Sequence, residues 1–221
     1  IMQKLHWNDA LSLQLKQQEA SIPAFDPALK QRLDSIAILD QRFRKLMYTE
    51  TPEERKQLGE KMGLTEAEYN GNLWKMQEVV DSANMVFVEQ VFNEKGYPGK
   101  SMVGEETSTA AWYVLQHNPD KIATYLPIIK KAGEAGELPF RLVAMMEDRF
   151  LMNEGKEQIY GTQGMSTETD GDFIWPIKDP ETVNTRREEA GFSQSIEVYA
   201  KDLFGEDFSY KVLTIEDVKQ E

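Results

Sequence analysis

Apolar residues recur at helical spacing along most of the chain, and capping residues, prolines and glycines separate the stretches where they do. At about 100° per residue, residues 5–19 predict a first helix. The run Pro23-Ala24-Phe25-Asp26-Pro27 ends it, and Asp26 as cap with Pro27 at the first helical position predicts a second helix to about Tyr48. Thr51-Pro52-Glu53-Glu54 opens a short polar helix ending near Gly63, and residues 65–69 add a turn. Asn72 then caps a long helix to about Lys95, closed by Gly96. Ser101 begins a helix that ends at His117, Asn118-Pro119 starts the next, and Leu138 to about Asn153 is helical again. Past Gly155 the period changes, and residues 158–163 and 173–177 read as short strands of a long-looped hairpin. Asp179-Pro180 opens a helix closed by Gly191, and Ser193 opens a last one ended by Gly205. The predicted fold class is mainly α: a compact multi-helix array with a small β-hairpin near 158–177, in a single domain over residues 1–221.

Several helices carry polar residues on the stripe that should face the core. On the second helix that stripe is Leu29, Leu33, Ile36, Phe43 and Met47; Asp40 falls in its middle and Arg44 lies one turn on. On the long helix it is Leu73, Met76, Val80, Ala83, Phe87, Val88 and Val91. Asn84 sits at its centre, Gln77 on the same line and Asp81 at its edge. The helix over 139–152 is apolar around nearly its whole circumference, which predicts burial on most sides and draws Asp148 and Arg149 inward. His117 continues the inward line of Val103, Thr107, Ala110, Ala111 and Val114, with Gln116 beside it. Arg187 shares an inward face with Val183 and Ala190. Unpaired buried charge is costly, so these groups must meet one another or a ligand. The expectation is one convergent internal cluster of Asp40, Arg44, Asn84, His117, Asp148 and Arg149, with Asp81, Gln77, Gln116 and Arg187 nearby. Such a cluster is either a polar pocket for a small ligand or a ligand-free network that sets helix register.

Composition narrows the partners. The 221 residues hold 25 Lys and Arg against 38 Asp and Glu, a net charge of −13. That balance speaks against nucleic acid, which is held mainly by cations on phosphates, and against anionic lipid. No run approaches the roughly 20 apolar residues of a membrane helix, so no membrane insertion is expected. With no cysteine, disulfides, thiolate catalysis and cysteine-bound metal are excluded. The acidity concentrates late, with 15 acidic side chains against 7 basic ones from residue 155 onward. Solvated faces account for this, and so does a surface complementary to a basic partner. The chain begins at Ile1, which leaves the compartment open between the cytoplasm and export after removal of an N-terminal signal.

His117, at a helix C-terminus, is the acid–base candidate, with Asp148 as the carboxylate that orients it. A capping histidine bonded to the last carbonyls is the plainer reading. Arg44, Arg149 and Arg187 suit a carboxylate or phosphate, unless Asp40, Asp81 and Asp148 satisfy them internally. Tyr160, Thr162 and Gln163 around Gly161 offer ligand-recognition groups or a structural turn. Gly99-Lys100-Ser101 lacks the earlier glycine of a phosphate-binding loop, since Glu94 stands there. The run Glu168-Thr169-Asp170-Gly171-Asp172 places Ile177 where a calcium loop needs Glu. The two histidines, His6 and His117, are too far apart in sequence to suggest zinc. No metal site or cofactor is expected. The ligand expected is small and polar or anionic, with hydrolysis or group transfer as the chemistry. The alternative is a non-catalytic acidic interaction module of immunity or inhibitor type.

The same residues form an ordered series of short motifs. Asp40-Gln41-Arg42-Phe43-Arg44 fits DQ-x-x-R and Asp81-Ser82-Ala83-Asn84 fits D-x-x-N. Gly96-Tyr97-Pro98, Val103-Gly104, Ala110-Ala111-Trp112 and Gln116-His117 follow, then Asp148-Arg149, Tyr160-Gly161-Thr162-Gln163, Pro176-Ile177 with Asp179, and Arg186-Arg187. In this order they resemble a bacterial domain family of unknown function over about residues 34–199. The resemblance implies a helical fold and a shared centre at these positions, and it implies no activity. The N-terminal helix and the acidic tail lie outside it, and residues 51–71 look like a variable insert.

Overall fold

The computed structural model describes residues 25–168 and 171–218. The helix expected over 5–19 lies outside the described residues. Helix α1 (Pro27–Thr49) starts as its sequence requires: the Asp26 carboxylate accepts from the Leu29 amide at 2.9 Å, and Pro27 follows. It buries Leu29, Leu33, Ile36 and Asp40.

Helices α2 (Pro52–Lys61) and α3 (Glu66–Lys95) each begin with a capping box, Thr51 with Glu54 and Thr65 with Glu68. The expected break at Asn72 does not occur. The Thr65 box already satisfies the first amides of a helix that runs on through Gly71 and Asn72. Its buried line is Tyr69, Leu73, Gln77, Asn84, Met85, Val88, Val91 and Phe92, so the core face is rotated from the one expected and Met76 and Ala83 face solvent.

The single helix expected from Ser101 to His117 is two. Gly104 takes φ +85°, a left-handed conformation, and ends α4 (Lys100–Val103). A 3₁₀ turn over Thr107–Thr109 leads into α5 (Ala110–Gln116), with His117 as its C-cap. Helices α6 (Pro119–Glu134) and α7 (Phe140–Asn153) pack on each other, and α5 packs against α1, α3 and α6. Their apolar faces form the main core around Trp112, whose indole donates to the Leu142 carbonyl at 2.8 Å.

The hairpin stands near the expected place with a different register. Strands β1 (Gly164–Thr167) and β2 (Gly171–Ile174) pair antiparallel, Gly164 opposite Ile174. Residues 158–163 form no strand; they wrap a buried carboxylate and keep only one isolated bridge, Gln158 to Ile177. Asp179 is left-handed at φ 46° and caps nothing, so a 3₁₀ turn at Pro180–Thr182 precedes α8 (Val183–Glu189). Ser195 rather than Ser193 caps α9 (Ile196–Phe204), and a short α10 (Ile215–Val218) follows. A second apolar cluster of Ile174, Ile177, Val183, Ile196 and Ala200 holds this C-terminal part together. Among the described residues no helix is long and apolar enough to cross a membrane.

Candidate functional site

The polar residues expected to converge form two groups. The first lies where α1, α3 and the end of α5 meet. Asp40, only 1% exposed, projects from the buried face of α1. Its Oδ1 is 3.0 Å from His117 Nδ1, and its Oδ2 accepts from Gln41 Nε2 at 2.6 Å. Arg44, one turn on, donates through both terminal nitrogens to the two oxygens of Asp81, at 3.1 and 2.5 Å, and also to the Asp40 carbonyl at 2.6 Å. Gln77 is fully buried and donates to that same carbonyl and to Asp81 Oδ1, at 2.9 and 2.7 Å. Helices α1 and α3 are therefore joined by two side chains that bridge the same pair of oxygens.

This group opens on a cavity of about 560 Å³ between α1 and the segment over residues 106–117. Asp40, Gln41, Arg44, Gln116 and His117 reach its wall. With Nδ1 facing Asp40, the His117 Nε2 has no hydrogen-bond partner among the described residues. The imidazole thus does not cap the last carbonyls of α5. It presents one nitrogen to a buried carboxylate and leaves the other free, the arrangement that fixes a histidine tautomer.

Asp40, Asp81 and His117 each offer a metal-ligand atom, all within 4.8 Å of one another. Counting histidines could not reveal this mixed group, because its carboxylates come from separate helices. The positive charge now standing among them is the Arg44 guanidinium, which takes both oxygens of Asp81. A cation there would have to displace that bidentate pair.

The second group surrounds Asp148 on α7, and here the expected pairing with His117 is replaced. The buried Asp148 carboxylate accepts from the amides of Ile159, Tyr160 and Thr162 and from the Thr162 hydroxyl, at 2.7 to 3.1 Å. Burial pushes its carboxyl above the ordinary value, while the amides and the hydroxyl pull the other way. Every backbone partner is a donor, so the form the cage fits is the carboxylate. Gly161 allows this wrap: it takes φ +70°, and a Cβ there would lie 2.6 Å from Ile196 Cδ1 and 2.7 Å from Ile177 Cδ1.

The carbonyls of the same loop point to other partners. Arg187, 1% exposed, donates to the carbonyls of Tyr160 and Gln194, and its guanidinium lies 4.8 and 4.9 Å from the ring centres of Phe192 and Tyr199. Tyr199 donates to the Thr162 carbonyl at 2.8 Å, and Gln158 to that of Gln163 at 2.9 Å. Gln163 donates to the Thr162 carbonyl and hydroxyl. Arg187, Thr162 and Gln163 are therefore enclosed and bound to the protein itself. None of them lines the cavity, and neither does Tyr160 or Arg149.

Arg149 stands between the groups, with one long hydrogen bond of 3.4 Å to the Gln116 carbonyl. Burial lowers its affinity for its proton. Asn84 is buried on α3 with its Nδ2 unpartnered, and it makes no bond to either group. Of the three arginines expected to hold an anion, Arg44 alone reaches the cavity, and it is already paired with Asp81. Glu106, Tyr48, Thr109 and Tyr113 also line the cavity, and the sequence gives no sign of it. They lie on exposed or half-exposed faces, where apolar phasing carries no signal.

No curated protein and no solved structure matches the chain. A model described as a family of unknown function (DUF6624) matches residues 27–212, which takes in both polar groups and leaves out most of the acidic tail. The chain belongs to that family of unknown function.

Proposed function

We propose that this chain binds a small polar molecule in the cavity between α1 and residues 106–117 and moves a proton on it, in a hydrolysis or group-transfer reaction. His117 is the acid–base group and Asp40 its positioning residue. The observation that carries this reading is the His117–Asp40 contact of 3.0 Å on the cavity wall, with Nε2 unpartnered among the described residues. A base in this setting takes a proton through Nε2 and becomes an imidazolium beside a carboxylate, which stabilises the charge as it forms. The anionic ligand expected from three arginines has lost its basis, because those arginines are paired, enclosed or away from the cavity.

The test is a thermal-shift screen of small polar metabolites on the full chain. Compounds that stabilise the protein should lose that effect in His117→Gln and in Asp40→Asn, and keep it in Arg149→Ala. Absence of any stabilising compound, or hits indifferent to His117 and Asp40, would sink the reading.

A second reading, an acidic interaction module, draws support from the 15 acidic against 7 basic side chains after residue 154. It predicts a basic partner that binds at low salt, leaves at high salt and is lost on the double substitution Glu188→Lys and Glu189→Lys. Partner binding unchanged by that substitution would count against it.

A further inference from the structure

Two cationic or proton-bearing groups approach one oxygen of Asp40. His117 Nδ1 lies 3.0 Å from Oδ1, and Arg44 Nη1 lies 3.6 Å from the same atom. The first distance is a hydrogen bond; the second is too long for one and acts through charge alone. Arg44 sits one turn from Asp40 on α1 with its side chain 12% exposed, so its charge needs a carboxylate beside it. Asp81 meets that need from α3, taking both terminal nitrogens of Arg44 at 3.1 and 2.5 Å. Gln77 in turn fixes Asp81, donating to its Oδ1 at 2.7 Å and to the Asp40 carbonyl at 2.9 Å. The guanidinium is thus held by α3 and stops short of the oxygen that faces His117. Among these side chains the two carboxylates exceed the guanidinium by one negative charge, which an imidazolium at His117 neutralises when it forms.

We infer that Asp81 is a positioning residue for His117: by holding Arg44 it reserves Asp40 Oδ1 for the imidazole, and so fixes the tautomer that carries its proton on Nδ1 and leaves Nε2 unprotonated. Asp81 does not line the cavity and has no hydrogen bond to His117, so it acts through Arg44 and Asp40. Without the Asp81 charge, Arg44 closes the gap of 3.6 Å and takes Oδ1. The imidazole then loses the acceptor that selects its tautomer. An Asp81 that served only to join α1 to α3 would cost stability on removal and leave the tautomer alone. This inference rests on the small-ligand reading above, in which His117 is the base, and adds the residue that keeps the base in its reactive form.

Nitrogen-15 NMR of the full chain carrying His6→Asn reads the tautomer directly, since His117 is then the one remaining histidine. Spectra are taken at mildly alkaline pH, where an imidazole is neutral. The unsubstituted site should show the proton on Nδ1. Asp81→Asn should move most of it to Nε2. Arg44→Met should leave it on Nδ1, because Arg44 is a competitor for Oδ1 and not a support. Asp81→Asn combined with Arg44→Met should restore it to Nδ1, because the competing charge is gone. If Asp81→Asn alone does not fold, Arg44→Lys asks the same question: an ammonium is a point charge that cannot take both Asp81 oxygens as a fork, so part of the proton population should leave Nδ1. A proton that stays on Nδ1 in these single substitutions at Asp81 or to Lys, or a double substitution that fails to restore it, overturns the assignment of Asp81 and leaves the pocket reading standing. Loss of the Nδ1 proton in Arg44→Met overturns it as well. A proton on Nε2 in the unsubstituted site would instead remove the His117–Asp40 contact on which the proposed function itself rests.

Discussion

The Asp40 group and the Asp148 group are built from the same materials, a buried carboxylate with arginine, glutamine and a polar loop or helix end nearby. They differ in what is left over. Around Asp148 the partners are backbone amides and the Thr162 hydroxyl, and the residues whose N–H groups face Asp148 offer their own carbonyls elsewhere: Ile159 to Arg186, Tyr160 to Arg187 and Thr162 to Tyr199. The loop over 159–163 thus lies between a buried anion and a buried cation and is polarised by both. Around Asp40 the partners are side chains from three helices, and one of them, His117, keeps on a cavity wall a nitrogen with no partner among the described residues. A polar group saturated by backbone holds a fold together. One that ends in a free side-chain atom beside open space can act on something else. Sequence order alone marks both sets equally, which is why motif content is a poor guide to which one does chemistry.

The contrast can be broken by substitution. The largest effect is expected at Asp148→Asn, which puts an NH₂ group against amide donors; unfolding in urea should show a loss of about 3 kcal/mol or more. Arg187→Met keeps much of the bulk of this buried side chain and removes its two hydrogen bonds to backbone carbonyls, so a loss of about 2 kcal/mol is expected from the same measurement. His117→Gln should cost less than about 1 kcal/mol, because its side chain lies at the surface of the cavity and supports little else. Its effect should appear in ligand-induced stabilisation instead. A severe unfolding penalty at His117 with a mild one at Asp148 would reverse the assignment of roles.

The smallest effect is set by pH at the helix starts. Backbone and hydroxyl hydrogen bonds from Thr51 and Thr65 hold the carboxyls of Glu54 and Glu68 below the ordinary value. A carboxyl lowered by folding stabilises the folded state above its unfolded value, and that contribution disappears as pH falls through the folded value. Amide-exchange protection at the starts of α2 and α3, measured against the intrinsic rate at each pH, should therefore fall on acidification, and Glu54→Gln and Glu68→Gln should blunt the change. Protection there that does not change with pH would argue that the boxes are not formed in solution.

Much of the scaffold was legible because its signals are local. Asp26-Pro27 marks the start of α1, and the turn at Gly155 marks where helices give way to the hairpin. Asn72 misled because a good capping residue is only a competitor, and the box at Thr65 lies earlier in the same helix. Gly104 gives no sign in the sequence that it ends a helix, because a glycine's backbone angle is not written in its neighbours. Burial of Asp40, Gln77, Asn84, Asp148 and Arg187 followed from phase, since an amphipathic helix declares which face is inward. The rotated core face of α3 shows the limit of that reasoning on a long helix that carries two apolar stripes.

The amino-acid order by itself determined the helical class, the absence of cysteine chemistry, the acidic balance and the set of polar residues that go inside. Those properties depend on periodicity and composition, which act within a few turns. Tertiary structure alone decided that Asp40 and not Asp148 faces His117, that the loop at 159–163 closes on a carboxylate rather than on a ligand, and that Glu106 and two tyrosines border the cavity. Each of these depends on distances between segments far apart in the chain, and phase around one helix axis says nothing about which neighbour fills the space opposite.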